Sequence, residues 1–142
     1  MNLKSKYLKY KIKYLKLKEP KLLGGNIQIF TMNLDDKWFN FIENNQKTIE
    51  GRIYDDKRKK LRVGDFIEFK NNKTGKYIKK EIDRLEITQG DDAKFEKVIN
   101  ESNFKLLIPD ANTVADAINV YNNIPGYKQK ALIEGIILIY LK

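Results

Sequence analysis

The chain has 142 residues, 42% of them hydrophobic, which is the length of one ordinary domain with a real core. It contains no cysteine and no histidine, so thiolate nucleophiles, Cys/His zinc sites, His-based acid–base catalysis and serine triads are excluded; catalysis would fall to Lys, Glu, Asp, Tyr, Thr or to Ser5 and Ser102. The net charge of +9 points to a polyanionic partner but is unevenly placed: residues 1–21 hold eight lysines and one glutamate, net +7, leaving 20 basic and 18 acidic side chains, net +2, on the other 121 residues.

The opening tract, "MNLKSKYLKYKIKYLKLKEPKLLGGN", is biased toward Lys, Tyr and Leu. Leu3, Tyr7, Tyr10, Tyr14 and Leu17 recur at helical spacing, whereas Lys9 to Lys18 nearly alternates, so a helix, a strand and a disordered tail all stay open. Lysines interrupt every apolar run, which argues against a secretory signal. Pro20 and Gly24-Gly25 mark a boundary, giving a basic segment over 1–25 and a folded unit over 26–142. A polyanion-binding arm, a membrane-surface helix, a targeting tract and a solvated tail are the readings of the segment.

From Asn26 the pattern changes. "NIQIFTMN" predicts a strand and "LDDKWFNFIENN" a short helix with acidic residues in its first turn, Trp38 belonging to its core side. "NNQKTIEGRIYDD" predicts a strand whose alternation sets Thr48, Glu50, Arg52 and Tyr54 on a polar face and Lys47, Ile49, Gly51 and Ile53 on the other. A charged loop follows, carrying Lys57, Arg58, Lys59, Lys60 and Arg62, and two strands then meet at the hairpin turn "NNKTG". "DDAKFEKVINES" and "NTVADAINVYNN" predict helices, the second capped by Asn112 or Thr113; "GYKQK" predicts a loop, and "ALIEGIILIYLK" a buried final strand, too short for the roughly 20 apolar residues of a membrane span.

Four pieces in this order, "FIENNQKTIEGRIYD", "LRVGDFIEF", "AKFEKVI" and "INVYNNIPGY" before "GIILIYL", resemble the ASCH domain of the PUA-like superfamily over about residues 26–142. The resemblance implies an α+β fold: a small mixed β-barrel, mainly antiparallel, with flanking helices at its opening. Separately, "KYLKYKIKYLKLK" resembles the Lys/Tyr-rich N-termini of mimivirus-type giant-virus proteins, which implies a viral source. With no cysteine and no signal, an intracellular, non-secreted protein is expected.

The family resemblance sets the "QKTIEGR" segment at the barrel cleft and implies an RNA- or modified-nucleotide-binding module without a cofactor. Lys47, Thr48, Glu50 and Arg52 would contact the ligand, with Tyr54 on the same strand face and Arg58 in the charged loop beside it. Glu50 can accept from a base's amino group and Arg52 can grip a phosphate or a guanine edge. Tyr127 is open between stacking on a base and packing, while Tyr121 reads as packing. One branch of ASCH-like proteins hydrolyses N4-acetylcytidine with a lysine and a threonine three residues on; here Lys47 is followed at that distance by Glu50, so the nucleophile is missing. A hydrolase centred on Lys47 and Glu50, helped by a later acid such as Glu96, and a protein adaptor are the alternatives.

Overall fold

The computed structural model describes residues 25–142; the basic tract up to Gly24, and with it the giant-virus resemblance, lies outside the described residues. The first elements are β1 (Ile29–Leu34), helix α1 (Asp36–Glu43), β2 (Ile49–Ile53), β3 (Phe66–Asn71) and β4 (Tyr77–Thr88). Four short helices follow, α2 (Phe95–Val98), α3 (Phe104–Leu107), α4 (Val114–Asn122) and α5 (Tyr127–Glu134), and β5 (Ile136–Leu141) closes the fold. Short 3-10 turns lie at Arg58–Lys60 and Gly90–Asp92. No helix among the described residues is long and apolar enough to cross a membrane.

The strands form one curled, five-stranded sheet in the order β1-β3-β4-β5-β2, a half-barrel of PUA-like α+β type. Among the described residues only the β1–β3 pair is parallel; the other three pairings are antiparallel. β1 and β2 are therefore the two edges, and the Arg52 side chain reaches from one to the other, donating to the Asn33 carbonyl at 3.0 Å.

The hydrophobic pattern explains why two layers of core form. β5 is an unbroken apolar run because both of its faces are covered. Ile137, Ile139 and Leu141 enter the barrel interior with Phe39, Ile42, Ile67, Phe69 and Leu85, while Ile136 and Leu138 turn to a second core under the helices with Phe95, Leu107 and Ala131. β2 is shared in the same manner: Ile49 and Ile53 pack into the helical layer, which leaves Glu50 and Arg52 on the opposite, barrel-side face. Thr113 caps α4 with a complete capping box, its side chain accepting from the Asp116 N–H.

Two helix assignments read from the sequence are corrected. The expected helix over "DDAKFEKVINES" is broken into the Gly90–Asp92 turn and the single-turn α2: Lys94 is extended between the two, and beyond α2 Asn100 and Asn103 bond each other's backbone N–H groups and offer the chain a turn instead. The expected loop "GYKQK" is the start of α5: Gly126, at φ 79°, makes the left-handed corner, and Tyr127 begins the helix.

Candidate functional site

Strict alternation would send Lys47 to the far face with Ile49, but β2 begins only at Ile49, so Lys47 lies outside the ladder. Its side chain folds back under the strand and donates from Nζ to the Ile49 carbonyl at 2.7 Å and the Leu107 carbonyl at 2.6 Å, with Glu50 Oε1 at 3.4 Å and the Tyr121 hydroxyl at 3.5 Å. The other Glu50 oxygen, Oε2, accepts from Arg52 Nη2 at 3.3 Å. Lys47, Glu50 and Arg52 thus form a row with the carboxylate in the middle. Lys47 is 2% exposed and Glu50 5%, so this is not a wet surface pair whose worth would be small.

Burial pushes the Glu50 carboxyl upward, but the adjoining Lys47 and Arg52 charges outweigh it and hold the group below its ordinary value. Burial lowers Lys47 despite the opposing pull of Glu50. For Arg52, burial is again the largest influence and acts downward, yet Glu50 and the tyrosines raise it overall. Because the folded value of Glu50 lies below the ordinary 4.5, its pairing contributes stability that is fully present above that pH and is lost as pH falls through the depressed value. Chemical denaturation across the acid range should therefore show stability falling below about pH 4.5, and Glu50→Gln should flatten that slope; parallel curves for the two proteins would contradict the assignment.

Above this row opens a cavity of about 270 Å³ whose lining includes Lys47, Glu50, Arg52 and the side chains of Trp38, Tyr121 and Tyr127. Phe95 stacks on Tyr121 at 4.8 Å between ring centroids and on Tyr127 at 6.1 Å, so the helical layer holds both tyrosines. Tyr121 is a packing residue, as its sequence context suggests, and also a wall: its hydroxyl accepts from the Gly51 N–H at 3.3 Å. Gly51 is what allows this approach, since a Cβ there would stand 2.9 Å from the Tyr121 hydroxyl.

The remaining sequence-selected residues are dispersed. Thr48 uses its backbone, donating to the Leu106 carbonyl and accepting from the Leu141 N–H, and does not line the cavity. Tyr54 is buried in the barrel core. Arg58 is paired with Asp55 at 2.5 Å and lines a neighbouring cavity of about 370 Å³. Glu96 is exposed and accepts from Asn122, away from the row.

Several lining residues were not anticipated: Asn33 near the end of β1, Asp35 just after it, Asn72 at the hairpin, and Ile108, Val120 and Ile124 from the helical layer. Trp38, read from the sequence as core, is only half-buried; it packs against both cores and lines the cavity. Its position was the available signal: Phe39 and Ile42, three apart, centre the buried stripe, and Trp38 is turned about 100° from Phe39 toward the edge of that stripe.

A curled mixed sheet flanked by short helices, with a polar row at its open edge, defines a PUA-like barrel. Among the solved structures that share this fold are the crystal structure of hypothetical protein PH0355, at a TM-score of 0.68 and 22% identity over 81% of this chain and 98% of that one, and the solution structure of protein PF0455 from Pyrococcus furiosus, at 0.62 and 23% over 81% and 96%. No curated protein is significantly similar in sequence. The ASCH domain model matches residues 32–140, and the chain belongs to the ASCH domain family.

Proposed function

We propose that the protein is an RNA- or nucleotide-binding module that receives one unstacked base over the Lys47–Glu50–Arg52 row. Membership of the ASCH family supports the RNA-binding character, and the observation that carries the reading is Glu50. A nearly buried carboxylate, kept ionised by a cation on each oxygen, forms the floor of an aromatic-walled cavity. Such an acceptor suits the exocyclic amino group of a base. Beside it, the Tyr121 hydroxyl proton and the Arg52 Nε and Nη1 donors have no partner among the described residues, so both donors and acceptors are on offer. Trp38 and Tyr127 supply faces for stacking. The volume, about 270 Å³, lies just below the roughly 300 Å³ at which small-molecule pockets begin and suits a single base or nucleoside.

Hydrolysis centred on Lys47 and Glu50 has less support. The Ile49 and Leu107 carbonyls and Glu50 take up the three N–H donors of the ammonium, an acceptor set that favours the protonated form and suits Lys47 to clamp the carboxylate rather than to act as a base or nucleophile. Titrating the full chain with cytidine, N4-acetylcytidine and a short single-stranded RNA, with chromatography for products, separates the two. Saturable binding without turnover is expected; steady release of acetate or of cleaved RNA would replace the binding reading with the hydrolase.

A further inference from the structure

The two cavities share two residues, Asn33 and Arg52, of which Arg52 alone is charged, and they differ in charge. The first is balanced, with Asp35 and Glu50 against Lys47 and Arg52. The second, between the β1 edge and the loop after β2, is lined by Arg52, Lys57, Arg58 and Lys60 and by no carboxylate. Arg52 is matched by Glu50 and Arg58 by Asp55. Lys57 and Lys60 are exposed and have no partner among the described residues, so two positive charges are left over at this cavity. The same loop sorts its other cations elsewhere: Lys59 lies 3.6 Å from Asp56, and Arg62 donates to the Lys59 and Leu61 carbonyls. Two unpaired cations thus meet at one cavity, whereas residues 22–142 as a whole carry a net charge of only +2. Phe30 and Leu61 give the cavity an apolar side, which weakens solvent screening of a bound anion.

Resting on the base-pocket reading above, we infer that this second cavity seats the phosphodiester next to the bound base, so that the ligand is a single-stranded polynucleotide rather than a free nucleoside. Arg52 is the hinge of the arrangement: Nη2 is spent on Glu50 and Asn33, and its remaining donors lie at the boundary over which the sugar-phosphate chain leaves the base pocket. Lys57 and Lys60 then neutralise the phosphates that follow, as point charges without base preference. A free nucleoside fills the first cavity and leaves the second empty.

The test uses the full chain and the double variant Lys57→Ala/Lys60→Ala, whose exposed, unpaired side chains carry little of the fold. Fluorescence anisotropy with a short labelled single-stranded RNA is followed across a salt series, beside calorimetric titration of cytidine and competition by inorganic polyphosphate. The expected result is an RNA affinity about tenfold weaker at low salt and a logarithmic salt slope smaller by about 1.4, with cytidine affinity unchanged. Unchanged RNA affinity and slope would overturn the inference while leaving the base pocket standing. Polyphosphate that displaces the labelled RNA from the unaltered protein as well as unlabelled RNA of the same length does would overturn it in favour of an unspecific anion patch. Failure of the unaltered protein to bind cytidine would remove the base-pocket reading, and this inference with it.

Discussion

Replacing Lys47 with alanine is expected to lower folding stability by about 3 to 5 kcal/mol, the loss that follows when one member of a buried ion pair is removed. Three groups lose their partner at once. Glu50 keeps only Arg52, and the Ile49 and Leu107 carbonyls, which join β2 to α3 through the ammonium, are left without that donor. Lys47→Met separates the contributions, because it refills the volume without restoring the hydrogen bonds. Urea melts followed by the fluorescence of Trp38, the single tryptophan and a neighbour of the Lys47 ammonium at 5.8 Å, provide the measurement. A loss under about 1 kcal/mol for the alanine variant, the scale of an exposed pair, would mean that Lys47 is solvated and does not clamp the cleft.

Arg52→Ala should weaken binding of single-stranded RNA by about 1 to 3 kcal/mol, the range of a good bidentate contact. Because the guanidinium also joins Glu50 to the Asn33 carbonyl, the melt should fall too, by about 1.5 to 3 kcal/mol for charged hydrogen bonds. The two effects are distinguished by titrating well below the melting temperature and by adding Arg52→Lys, which retains the charge but loses the planar fork. Binding that is restored by lysine identifies a simple attraction to phosphate; binding that stays weak identifies the fork. A lowered melt with unaltered affinity would make Arg52 a strut between the sheet edges and remove it from the binding site.

How much of this was legible in the sequence varied with the range of the interaction involved. Local signals read well: Thr113 caps α4, the "NNKTG" turn joins β3 to β4 with Gly75 at φ 74°, and the apolar run of β5 marks a strand covered on both sides. The Glu50/Arg52 polar row followed from simple alternation. Lys47 did not, because its burial depends on where β2 starts and on the Leu107 carbonyl, 60 residues away. α5 escaped notice because its apolar pattern is weak: Ala131 is its buried residue, while Leu132 and Ile133 are exposed. The second cavity requires β1 to stand near the loop after β2 across the open side of the sheet, and periodicity carries no information about such a meeting.

Among the described residues, the strand that carries the binding row is hydrogen-bonded within the sheet to β5 alone, Ile49 opposite Tyr140 and Ile53 opposite Ile136. The β3–β4 hairpin closes over a short turn and can zip early, whereas β2 must await a strand that starts 83 residues after Ile53. During synthesis the chain therefore has its barrel hairpin long before it has a cleft. A nascent protein still attached to its own ribosome, surrounded by RNA, carries Lys47, Glu50 and Arg52 but not yet the partner strand that arranges them.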